Sequence, residues 1–202
     1  MTNDDTKEAE PAVVSQFLKA SKALCLSLGQ RQSISSRLCP FNSYPEEDEE
    51  KRKQLAALAE IDKNITTQIK ALRELEAQNK NIGVSRLIGS HSQNDGLYCA
   101  VLLMALSRLN ESLHREVRDV AGLLSLATQD VVETHLLRGC FRTTNGLLRQ
   151  FVHIIDNEEP NVDQLRFEMS DLSYATVVGS RPTESEVAHS ILGRERYPVH
   201  RR

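Results

Sequence analysis

Residues 55–83 constrain the fold more than any other part of this chain. The stretch "LAALAEIDKNITTQIKALRELEAQNKNIG" carries an apolar residue at almost every third or fourth position. Such spacing places apolar side chains along one face of an α-helix, and a heptad seam of this kind is typical of coiled coils. We therefore predict a long helix over residues 45–82 whose apolar face packs against at least one other helix.

The heptad positions a and d of this helix are mostly aliphatic, with two polar exceptions. They are Leu58, Ile61, Ile65, Gln68, Leu72, Leu75, Asn79 and Ile82. Polar residues at such positions can set the register between two chains at some cost in stability. They can equally lie at the edge of the core of a bundle. The sequence leaves both interpretations open.

A first helix is predicted from Pro11, because proline suits the first turn of a helix. Gly29 and the Ser-rich residues 33–36 weaken its second half, so we expect a poor partner for the whole length of the second helix. Residues 39–46 contain two prolines and interrupt the chain. The acids that follow suit the start of the second helix, where the helix dipole favours negative charge.

A third helical region starts near residue 93 and keeps one apolar frame over a long distance. Its members are Cys99, Leu102, Leu106, Leu109, Leu113, Val120, Leu123 and Ala127, then Thr134, Phe141, Leu148 and Ile155. Two arrangements fit residues 93–156: a single long helix, or two helices joined by a turn. We favour a turn near 128–130, because antiparallel folding buries both faces. The frame of the second helix does not continue through residues 83–92, which favours an antiparallel hairpin.

Two short helices are predicted near the C-terminal end. The first follows Pro160 and carries Leu165, Met169 and Leu172. The second covers residues 183–193, where a capping-box pattern precedes three apolar residues, Val187, Ile191 and Leu192. A helix this short is not stable in isolation. We therefore expect residues 183–193 to dock in a groove, either of this chain or of a partner.

Together these patterns predict an all-α protein. Long antiparallel helices would form a helical hairpin or bundle with coiled-coil character, followed by short C-terminal helices. We divide the chain into a disordered N-terminus (1–9), a helical bundle (10–158), short helices with a docking segment (159–193) and a basic disordered tail (194–202). Aromatic residues make up only 4% of the chain and Trp is absent, a balance that favours helices over a sandwich or barrel.

Candidate catalytic and metal-binding residues are few. Glu111 and His114 have the spacing of one half of a di-metal carboxylate site, but that site needs a second such pair and two more inward glutamates. Glu133 and His135 lack this spacing. Cys140 has His135 and His153 nearby in sequence, although a helical cysteine more often serves packing. We predict no catalytic residue, no metal and no cofactor, and therefore not an enzyme.

Charge and hydropathy exclude several classes of partner. The net charge is −3 and the pI about 6.1, so no overall positive field attracts nucleic acid. The longest apolar run, residues 97–106, falls far short of the ~20 residues that cross a bilayer, so we predict no transmembrane segment. The four cysteines form no CxxC pair and no secretory signal precedes them. We expect free thiols in a reducing compartment, the cytoplasm or the nucleus.

The remaining function is recognition of other proteins. We predict a non-catalytic adaptor or structural subunit of a multiprotein complex, which binds other subunits, or a second copy of itself, through coiled-coil or helix-in-groove contacts. The predicted partner-binding residues are Leu58, Ile61, Ile65, Leu72, Leu75, Val187, Ile191 and Leu192. The alternative is a self-contained helical-bundle enzyme or ligand-binding protein whose site has no sequence signature.

Overall fold

A computed structural model describes residues 10–38, 47–142, 146–155 and 161–180. These residues form eight α-helices and one small antiparallel sheet, so the predicted all-α class is confirmed. In chain order the elements are α1 (Pro11–Arg37), α2 (Glu47–Gln78), α3 (Val84–Ile88), α4 (Asp95–Ser107), α5 (Glu111–Glu116), α6 (Val120–Ala127), α7 (Val131–Arg142), β1 (Val152–Ile154), β2 (Phe167–Met169) and α8 (Asp171–Val178). The predicted docking segment and both predicted tails lie outside the described residues.

A helical hairpin is confirmed, but it is formed by α1 and α2, whereas the break at residues 83–92 was expected to pair α2 with the third helical region. The amide of Asn64 donates to the Ser27 hydroxyl at 3.4 Å, and Arg31 lies 3.8 Å from the Asp62 carboxylate. Residue numbers therefore rise along α1 as they fall along α2. Helix α1 continues as one helix through Gly29 and its Ser-rich end, so the weakening expected there does not interrupt it. It nevertheless leaves residues 49–60 of α2 without a buried side chain, in agreement with the expectation that α1 does not pair with α2 over its whole length.

Helix α4 occupies the centre of the fold. Every residue from Gly96 to Ser107 is buried, and α1, α3, α5, α6, α7 and α8 all contact this helix. Complete burial of an aliphatic side chain contributes about 1.5–3 kcal/mol relative to exposure. A helix that is apolar on all sides can therefore be stable only where other elements surround it.

The third helical region is divided more finely than its apolar frame predicts. The turn expected near 128–130 is confirmed, but α4, α5 and α6 are separate helices. Asn110 and Asp119 cause the breaks, since their side chains accept hydrogen bonds from the first backbone N–H groups of α5 and α6. Asn and Asp favour such caps over helix interiors. Leu109, a member of the predicted frame, lies at a break and is 54% exposed.

The helix predicted from the apolar spacing also does not continue after α7. Residues 148–151 form a 3-10 turn and lead into β1, which pairs with β2 in the register Val152↔Met169 and Ile154↔Phe167. Phe167 and Met169 are buried and Glu168 is exposed, which is the alternation of a strand with one face on the core. Met169 was therefore wrongly expected in a helix. The short helix begins later, as α8, capped by the Ser170 hydroxyl.

Candidate functional site

The predicted partner-binding residues of α2 lie on the face that α2 turns towards α1, but their burial differs along the helix. Ile65 and Leu72 are buried in the chain's own hydrophobic core. Ile61 and Leu75 are partly buried against that core, whereas Leu58 is half-buried without belonging to it. The inner half of the row thus holds the hairpin together. Val187, Ile191 and Leu192 lie outside the described residues.

The N-terminal part of α2 is a helix with little packing of its own, and we call residues 49–60 the free end of α2. No residue of the free end is buried, and only Gln54 and Leu58 are half-buried. Leu55, one position after Gln54, is 49% exposed. An ion pair of 3.0 Å between Lys53 and Glu49 spans one helical turn at the surface. The apolar residues of the free end are therefore largely exposed to solvent.

The two polar residues of the heptad row behave differently. The Asn79 amide donates to the Leu75 carbonyl at 2.9 Å and so terminates α2 locally. Gln68 is half-buried, and its side-chain carbonyl oxygen is shielded from solvent without a hydrogen-bond donor among the described residues. Such an unmade hydrogen bond costs about 1–3 kcal/mol. Asn79 therefore has a local structural role, while Gln68 retains an unused acceptor.

A buried carboxylate fastens α2, α3 and α4 to one another, and we call this contact the Glu76 latch. The Glu76 carboxylate accepts hydrogen bonds from the backbone N–H of Val84 at 2.8 Å and of Ser85 at 3.2 Å. It also accepts one from the Tyr98 hydroxyl at 2.6 Å. The first N–H groups of a helix have no partner within it, so Glu76 supplies what α3 lacks.

The surroundings of Tyr98 favour this arrangement. Burial raises the pKa of the Tyr98 hydroxyl, and the nearby Glu76 charge raises it further, so the hydroxyl keeps its proton and donates a hydrogen bond to the carboxylate. The Arg73 guanidinium lies 5.1 Å from the centre of the Tyr98 ring and 2.7 Å from the Asp95 carboxylate. Sequence reasoning missed Glu76, because it is one acid among many on a charged helix.

Glu133 has a similar structural role at the start of α4. Its carboxylate accepts from the Gly96 backbone N–H at 3.1 Å and from the Thr128 hydroxyl at 2.5 Å. A Cβ atom at Gly96 would lie 2.4 Å from the carboxyl carbon of Glu133, so glycine is what permits this approach. Glu133, weighed above as a metal ligand, instead connects α7 to α4.

The remaining candidates for chemistry are not brought together. Glu111 is exposed on α5 and pairs with Arg115 one turn later, and His114 is also exposed. Among the described residues, no group of three or more His, Cys, Asp or Glu side chains is arranged to hold a metal ion. The Cys140 thiol donates to the Leu136 carbonyl at 3.5 Å, and burial raises its pKa, which disfavours the nucleophilic thiolate.

The buried thiol of Cys99 should make the folded protein less stable at alkaline pH. Burial raises the pKa of Cys99 from its ordinary value of 9.0 to about 12. Between these values the unfolded chain loses the thiol proton while the folded chain keeps it. Unfolding therefore becomes more favourable as pH rises through this window, by up to about 1.4 kcal/mol per pH unit for this group. Below pH 9.0 the contribution is fully present.

Urea unfolding between about pH 8 and 10 measures this dependence. The Cys99→Ala variant should show a shallower fall in the free energy of unfolding with pH than the unsubstituted chain. An equal slope in both proteins would contradict a role for this thiol.

Comparison with known proteins gives no indication of function. No family model, no curated protein and no solved structure matches the chain. Within the described residues, every helix is too short or too polar to cross a membrane.

Proposed function

We propose that this protein is a non-catalytic adaptor or structural subunit of a multiprotein complex and that it binds another subunit through the free end of α2. One observation carries the proposal: residues 49–60 are helical although none of them is buried. Helices in proteins owe most of their stability to packing of an apolar face. A partner that covers Leu55 and Leu58 would supply that packing.

The apolar row of α2 would then have two functions. Its inner part, at Ile65 and Leu72, packs within the chain's own core, while its outer part is available to a second helix. Leu58, the first aliphatic residue of this row, and Leu55, at the flanking position e, would thus connect the intramolecular hairpin to an intermolecular helical contact. The two acidic and three basic residues of 49–53 precede Leu55 and would select the partner and its orientation. The described cysteines are free thiols, in keeping with a cytoplasmic or nuclear protein.

The test compares two double variants of the tagged protein, each purified from cells that naturally express the protein. Leu55→Asp with Leu58→Asp should fold normally by circular dichroism, because neither residue belongs to the core. It should lose a protein that the unsubstituted chain recovers near one-to-one. Ile65→Asp with Leu72→Asp should instead unfold the chain, because an unpaired charge cannot be buried without a cost of several kcal/mol.

A matched control places the same change elsewhere on the surface. Leu109 and Ile155 are 54% and 52% exposed, so Leu109→Asp with Ile155→Asp adds the same charges outside the seam. This control should keep the partner. If the Leu55 and Leu58 variant also keeps it, the free end of α2 is not the interface. If the unsubstituted chain is recovered alone, the adaptor proposal is wrong and the ligand-binding or enzyme alternative takes its place.

A further inference from the structure

A long groove follows the outer face of α1. One cavity of about 660 Å³ lies between α1 and α8, and a second of about 620 Å³ lies between α1 and α5. Lys22 lines both cavities, so they adjoin. On α1 the lining residues recur every three or four positions and include Val14, Leu18, Lys22, Cys25, Gly29 and Ser36.

Apolar side chains line the part of the groove between α1 and α8. Val14 and Leu18 are half-buried in the first cavity, and Tyr174 and Val178 of α8 form its opposite wall. Leu26, in the second cavity, is 63% exposed. Apolar side chains spaced by a helical turn in a groove are the usual receptor for the apolar face of an amphipathic helix.

The chain itself continues out of this groove. Gly179 and Ser180, the last residues described, line the cavity between α1 and α8. Only two residues therefore separate Ser180, in the wall of the groove, from residues 183–193. Their Val187, Ile191 and Leu192 recur at helical spacing, and a helix of this length measures about 15 Å at 1.5 Å per residue. That length is close to that of the α1 stretch from Pro11 to Lys22 that lines the first cavity.

The charges of the groove and of residues 183–193 are also complementary. Lys19 and Lys22 are exposed along the first cavity, and neither forms an ion pair with another described residue. The first turn of residues 183–193 carries Glu184 and Glu186. We propose that residues 183–193 bind as an amphipathic helix in the groove along α1 of the same molecule, with these two acids at Lys19 and Lys22.

Tethering makes this contact effective although the segment is short. A helix of about ten residues is marginal in water, so it needs the groove to be stable. A short covalent linker gives the attached segment an effective concentration in the millimolar range. Even a groove with low affinity for residues 183–193 is then largely occupied by this segment of the same chain. This inference does not depend on the free end of α2, since no residue of that end lines the groove.

Zero-length carbodiimide cross-linking of the full chain tests the proposal, because it joins a lysine amine only to a carboxylate in direct contact. The expected product links Lys19 or Lys22 to Glu184 or Glu186 and is identified by mass spectrometry of the digest. Cross-linking an equal mixture of unlabelled and ¹⁵N-labelled protein distinguishes links within one molecule from links between two copies. A link within one molecule gives no mixed-isotope peptides, whereas a second copy in the groove gives them.

Paired variants complete the test. Val187→Ser with Ile191→Ser should lower the yield of the cross-link by about tenfold, because two apolar anchors are lost. Val131→Ser with Val132→Ser, on the exposed face of α7, should leave the yield unchanged. Absence of the link in the unsubstituted chain, mixed-isotope links, or an unchanged yield after the Val187 and Ile191 changes would each overturn the proposal. Leu55→Asp with Leu58→Asp should keep the link, so this proposal and the adaptor proposal fail separately.

Discussion

Replacing Glu76 by alanine is expected to lower the free energy of unfolding by about 3–5 kcal/mol, the effect of breaking a buried charged network. The substitution removes the acceptor for three hydrogen bonds at once, from Val84, Ser85 and Tyr98. The Tyr98 hydroxyl and two backbone N–H groups would then be left without their acceptor. The connection of α2 to α3 and α4 should weaken with them.

Urea unfolding followed by circular dichroism measures this effect. Glu74→Ala is the matched control, because Glu74 lies two residues away on the same helix, is exposed, and has only a distant lysine partner at 4.0 Å. Exposed pairs of this kind contribute about 0–1 kcal/mol. A loss below about 1 kcal/mol for Glu76→Ala would mean that the Glu76 latch does not hold these helices together.

The second large effect is expected from Gly122→Ala in α6. Alanine in place of glycine inside a helix normally stabilises it by about 1 kcal/mol. At Gly122, however, the added Cβ would lie 2.1 Å from the backbone carbonyl oxygen of Glu116. Because that oxygen belongs to the main chain, α5 and α6 would have to separate. We expect a loss of about 2–3 kcal/mol, the cost of overpacking.

Gly139→Ala in α7 supplies the comparison, since a Cβ at Gly139 would meet no atom within 4 Å. This variant should gain about 0.5–1 kcal/mol in the same thermal or urea unfolding experiment. Opposite signs for the two substitutions are the expected result. If Gly122→Ala stabilises the protein as much as Gly139→Ala does, the close approach of α5 to α6 described above is wrong.

The apolar period of the sequence predicted those parts of the fold that burial alone decides. The α2 stripe and the apolar α4 follow from spacing of this kind, whereas the turn at residues 128–130 was predicted because antiparallel folding buries both faces. Periodicity did not reveal where the long third region breaks. There the side chains of Asn110 and Asp119 compete with the helix for its own N–H groups, a local effect that a frame of apolar residues does not contain.

Contacts between residues that are far apart in the sequence could not be predicted, for a different reason. Glu76 and Glu133 become caps only when α3 and α4 are brought against them, and nothing in their neighbouring residues indicates this. The two strands have three residues each, too few for a clear alternation. Likewise, the heptad row of α2 does not say which half is covered by α1. Ile65 is buried, whereas Leu58, one heptad earlier in the same row, is only half-buried.

Amide hydrogen exchange of residues 49–60 tests most directly whether the free end of α2 is a protein interface. The measurement compares the protein purified from its own cells, together with everything bound to it, with the isolated chain. Exchange should slow by about tenfold or more in the purified complex, because a bound partner raises the free energy of local opening by at least about 1.4 kcal/mol. Equal exchange in the two samples would contradict the proposed interface.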